Sequence, residues 1–91
     1  MKSHERHANN VSREWIESIE RLIRWIAPHT VGRDRVVQQW VAVKKARRET
    51  RRLHEALCLL SRELAALYPA SSVINLARRR VRDAVLTLAH A

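Results

Sequence analysis

Apolar residues recur along this chain at helical spacing, and three segments carry the pattern. Trp15, Ile16, Ile19, Leu22, Ile23 and Ile26 fall on one face of a first helix. Ile74, Ala77, Val81, Ala84, Val85 and Leu88 do the same for a last one. Between them runs a single heptad register: Val36, Gln39, Val43, Ala46, Thr50, Leu53, Leu57, Leu60, Leu64 and Leu67.

Breakers and caps set the expected boundaries. Asn10 or Ser12 is placed to cap the first helix, with Glu14 and Glu17 in its early turns. Pro28 ends it, and residues 28–32 form the first connection. Neither Gly nor Pro interrupts 33–68, so the pattern predicts one continuous helix there, roughly 54 Å long. Its seam is thinnest at Ala46 and Thr50, where a break would fall. Residues 69–72 form the second connection, with Ser71 or Ser72 capping the last helix.

The expectation is therefore an all-α fold of three helices, about 12–27, 33–68 and 72–90, in one domain over 11–91. Residues 1–10 are expected to be a mobile tail. Short connections fold the outer helices back along the long one, the first over its N-terminal half and the last over its C-terminal half. Three helices laid out in this way leave apolar stripes uncovered, which predicts a homodimer with a four-helix-bundle-like core. A monomeric three-helix bundle is the competing arrangement.

Composition agrees with helix. The 91 residues include one Gly and two Pro, and 46% are hydrophobic, with no Phe and one Tyr. One cysteine, Cys58, cannot form an internal disulfide, and no long uncharged apolar run or secretory signal is visible. A cytoplasmic protein without a membrane span is the reading.

Charge changes the picture more. The net charge is +9, and residues 1–32, with five basic and four acidic side chains, contribute almost none of it. Residues 33–91 hold thirteen basic and five acidic ones. Lys44, Lys45, Arg47, Arg48, Arg51 and Arg52 lie within nine residues and, on a continuous helix, within an arc of roughly 160° opposite the seam. Solvated helix faces normally alternate in sign; here only Glu49 intervenes. Arg78, Arg79, Arg80 and Arg82 form a second cluster, with Arg79 and Arg82 pointing most directly away from their stripe. Planar guanidinium forks suit phosphate oxygens. Clustered positive charge on a basic domain is the footprint of a protein that binds the nucleic-acid backbone, DNA or RNA, without reading base sequence.

One short stripe gives weak, salt-sensitive affinity, so the chain is expected to act as a non-enzymatic small subunit of a larger assembly. The alternative is an inhibitor or assembly factor whose cations meet an acidic protein. Trp40, at the border of seam and stripe, is a candidate for base stacking or for packing on the first helix. Trp25 falls well off its helix's stripe and is a candidate partner contact.

Little else suggests chemistry. His54 and Cys58 share a helix face, but no second ligand pair exists, and His4 and His7 lie in the tail. No metal or cofactor is expected. Arg48 and His54 resemble in spacing the Arg-x(4–6)-His motif of the helical HEPN ribonucleases, although Glu49 stands where that family often has Asn. The resemblance implies metal-independent RNA cleavage across a dimer interface, with His54 in acid–base chemistry and Arg48 on the phosphate. Residues 13–20 resemble the opening of the all-helical chorismate mutases, with Lys44 echoing their lysine. That family's long first helix is interrupted here by Pro28, and no active site carries over.

Overall fold

The computed structural model describes residues 13–89, so the expected tail, Asn10 and Ser12 lie outside it. The described residues form four α-helices: α1 (Arg13–Arg24), α2 (Arg33–Lys45), α3 (Thr50–Ala65) and α4 (Ser72–Ala89). The all-α class is as expected; the number of helices is not. The helix anticipated over 33–68 is two helices, joined by a turn at residues 46–49.

Backbone hydrogen bonds show how the helix stops. The Ala46 N–H donates to both the Ala42 and Val43 carbonyls, and the Glu49 N–H reaches the Ala46 carbonyl at 2.9 Å. Glu49 is extended, with φ −116° and ψ 102°, and α3 starts immediately after it. Charge repulsion favours a break at this point. An unbroken helix would set Lys44 beside Arg48, Arg47 beside Arg51 and Arg48 beside Arg52, three like-charge pairs at i,i+4 spacing. Ala46 and Thr50 offer the seam little apolar area in return.

The turn folds the expected long helix into an antiparallel hairpin. Gln39 Nε2 on α2 donates to the Ala56 carbonyl on α3 at 3.0 Å. At the far end, Val31 and Tyr68 exchange backbone hydrogen bonds of 2.8 and 3.3 Å. Gly32 begins α2 with φ +93°, a left-handed conformation that suits glycine. A Cβ there would lie 3.3 Å from Leu67 Cδ2.

The outer helices complete a bundle. Helix α1 runs antiparallel to α2, with Glu20 facing Trp40 and Lys44. Helix α4 returns along α3 after Ser71, whose Oγ accepts the Ile74 N–H at 3.2 Å, so one of the two expected serines is the cap. Helices α1 and α4 also pack together, and Arg80 Nη1 donates to Ser18 Oγ at 2.7 Å. Each helix therefore has two neighbours in an up-down-up-down arrangement.

All eight apolar members of the heptad register are buried, from Val36 to Leu67, and Trp40 and Ala56 join them. Ile16, Ile19, Leu22, Ile23 and Ile26 come from the first stripe, and Ile74, Ala77, Val81, Ala84 and Leu88 from the last. Burying each large aliphatic side chain contributes roughly 1.5–3 kcal/mol. The dimer was expected because three helices leave apolar stripes uncovered. The break at 46–49 removes that reason, since it supplies the fourth helix from within the chain.

Candidate nucleic-acid interface

The six cations at positions 44–52 do not form a stripe along one helix. They wrap the end of the bundle: Lys44 and Lys45 close α2, Arg47 and Arg48 occupy the turn, and Arg51 and Arg52 open α3. All six are exposed. The turn concentrates at one corner the charge that an unbroken helix would spread along its side.

Ion pairs divide this cluster. Lys44 Nζ lies 3.3 Å from Glu20 Oε1 on α1, and Arg52 Nε lies 3.2 Å from Glu49 Oε2. Among the described residues no carboxylate pairs with Lys45, Arg47, Arg48 or Arg51. These four lie within seven residues and are the cations left over for an outside anion.

Glu20 anchors the corner to the core. Its Oε1 accepts the Trp40 indole N–H at 3.0 Å, and its Oε2 meets Arg24 Nη2 at 2.8 Å. The Trp40 hydrogen bond, then Lys44 and Arg24, favour the carboxylate and outweigh its partial burial, holding its pKa below the ordinary glutamate value. Sequence reading missed this role. The Glu20–Arg24 pair is visible as i,i+4 spacing, but the links to Trp40 and Lys44 exist only once α1 lies on α2.

The aromatic candidates separate. Trp40 is 3% exposed and belongs to the core, so it is not placed to stack on a base. Trp25 is 64% exposed, in keeping with its position off the stripe. Arg33 Nε donates to the Ile26 carbonyl at 3.1 Å, which holds this segment beside the start of α2, away from the basic turn.

The second arginine cluster is not part of the corner. Arg79 and Arg82 are exposed as expected, whereas Arg78 is half-buried and half-buried Arg80 is spent on Ser18. Arg79 and Arg82 lie midway along α4, roughly 10–15 Å along its axis from its C-terminal end.

His54 and Cys58 are both half-buried on α3, with Sγ 3.9 Å from Nδ1. Among the described residues no group of three or more His, Cys, Asp or Glu side chains is placed to hold a metal. Arg48 lies in the turn and His54 in the second turn of α3, so the two residues of the ribonuclease-like spacing stand on different local structures. Among the described residues no helix is long and apolar enough to cross a membrane.

The fold and its charged corner define a class: a small all-α helical bundle with a cationic turn at one end. Comparison with protein-family models, with curated proteins and with solved structures finds no match.

Proposed function

We propose that this protein is a non-enzymatic, backbone-directed nucleic-acid-binding module, acting as a small subunit of a larger nucleoprotein assembly. The observation that carries the reading is the turn at 46–49. Lys45, Arg47, Arg48 and Arg51 are all exposed in it or flanking it, and no carboxylate among the described residues pairs with them. Like charges held this close repel one another, and an external polyanion relieves that repulsion while releasing its own counterions. Arginine forks engage phosphate oxygens two at a time. Contacts to phosphate position nucleic acid without reading its sequence.

The test is fluorescence anisotropy over a salt series, with Lys45, Arg47, Arg48 and Arg51 together changed to Glu. These four are chosen because their removal leaves the Glu20–Lys44 and Glu49–Arg52 pairs in place. Four phosphate contacts give a salt slope of about −3.6, an affinity loss on the order of 100-fold between 50 and 200 mM salt. The variant, still helical by circular dichroism, is expected not to bind. If wild type and variant bind equally poorly at physiological salt, the reading fails, and an acidic protein takes the place of nucleic acid.

A further inference from the structure

We propose that the basic turn engages double-stranded nucleic acid, through phosphates on both sides of a groove, in preference to unpaired strands. This rests on the nucleic-acid reading above and names its substrate class.

Sequence-tolerant binding of a single strand combines two features: cations that track the backbone, and aromatic faces on which the unpaired bases stack. Stacking is worth about 1–3 kcal/mol per base, so a site without it forgoes much of its advantage for strands. The turn has the first feature only. The chain contains three Trp, one Tyr and no Phe. Trp40, nearest the cations in sequence, is 3% exposed and gives its indole N–H to Glu20. Trp15 is half-buried and packed against the core cluster.

The two exposed aromatics are at the wrong end. Trp25 is held near the start of α2 by the Arg33–Ile26 hydrogen bond. Tyr68, 72% exposed, is held there by its backbone pairing with Val31. The 13 residues of α2 put about 18 Å between that end and Lys45. A base stacked on Trp25 or Tyr68 would leave its neighbouring phosphates far from Arg47, Arg48 and Arg51.

The shape of the turn points the same way. It is a tight connection between antiparallel helices, so its exposed cations gather on one compact knob. A duplex carries one charge per 1.7 Å of axis, counted over both strands. A compact cluster of four cations can therefore draw on phosphates of both strands, where one strand alone offers half that charge density. A flexible single strand would have to be bent around the knob, with no stacking to offset its ordering.

The experiment compares, at one salt concentration, mixed-sequence DNA and RNA duplexes about two helical turns long with dT and rU strands of equal phosphate count. Anisotropy measures affinity, and tryptophan emission is recorded in the same titrations. At least one duplex is expected to bind about tenfold or more tightly than either strand, with tryptophan emission unchanged. Whether the DNA or the RNA duplex binds better identifies its source. Strand binding equal to or tighter than duplex binding overturns the inference while leaving the nucleic-acid reading intact. Helix α1 runs antiparallel to α2 and so begins, beside Trp15, on the side of the basic turn. Quenched emission together with lost affinity in Trp15→Leu therefore overturns it too, because both would report stacking there. If neither duplex nor strand binds above the Lys45, Arg47, Arg48, Arg51→Glu variant, the parent reading fails, and this one with it.

Discussion

Glu20 is where three other side chains converge, and its chemistry ties the basic corner to the core. Trp40 needs an acceptor because its ring is buried, and the Glu20 carboxylate provides one at 3.0 Å. Lys44 then meets the same oxygen, Oε1, and Arg24 the other, Oε2. Glu20→Ala leaves the indole N–H without its partner and is expected to destabilise the fold by roughly 1–3 kcal/mol in urea unfolding followed by circular dichroism. The pH dependence has a definite sign. Because the folded-state pKa is lowered from 4.5, Glu20 contributes stability above that ordinary value, and the contribution is lost as pH falls through the lowered one. Glu20→Gln, which keeps an acceptor for the indole, should flatten the stability profile over that interval and change it less at higher acidity. An unchanged profile would mean that the carboxylate is not held by these three partners.

The turn at 46–49 decides the architecture at the scale of elements, and one substitution tests it by sign. Glu49 occupies the position before α3 in an extended conformation, and its side chain makes no capping bond. Asp at that position places an acceptor within reach of the first free N–H groups of α3 and favours the positive end of its dipole. Glu49→Asp is therefore expected to raise stability by about 0.5–1 kcal/mol in denaturant unfolding. In a continuous helix the same change would lower stability, because Asp is a poorer interior helix former than Glu. The exposed Glu49–Arg52 pair that the substitution alters is worth too little to reverse the sign.

The described residues supply four helices from within one chain, with two neighbours for each. A core completed in this way does not need a second copy to cover its stripes. The thermal unfolding midpoint is accordingly expected to be independent of protein concentration, whereas an obligate dimer's midpoint would rise with it. Sedimentation at the same concentrations supplies the mass. At this scale the molecule is also polar in another sense: cations gather at the α2–α3 turn, while Trp25, Val31 and Tyr68 are exposed at the other end of α2. That separation is why affinity is expected from charge and not from stacking.

Helical periodicity determined most of the inside, although Trp15 and Val85 of the outer stripes are only half-buried and Trp40 and Ala56 are buried outside the register. Every apolar member of the middle register is buried, as are Ile16, Ile19, Leu22, Ile23, Ile26, Ile74, Ala77, Val81, Ala84 and Leu88. The exposure of Arg79, Arg82 and Trp25 was legible for the same reason. A heptad count records phase, however, and says nothing of continuity. The turn at 46–49 keeps Ala46 buried and restarts α3 in register with α2, so one long helix and a folded hairpin read alike. The hints were local: a seam thinned to Ala46 and Thr50, and three like-charge pairs at i,i+4 spacing. Only the tertiary structure decided between extension and return, because the return is favoured by contacts such as Gln39 with Ala56 and Val31 with Tyr68, remote in sequence. The same fold turned a stripe into a corner, and it spent Lys44 on Glu20 while leaving Lys45, Arg47, Arg48 and Arg51 without a carboxylate partner among the described residues.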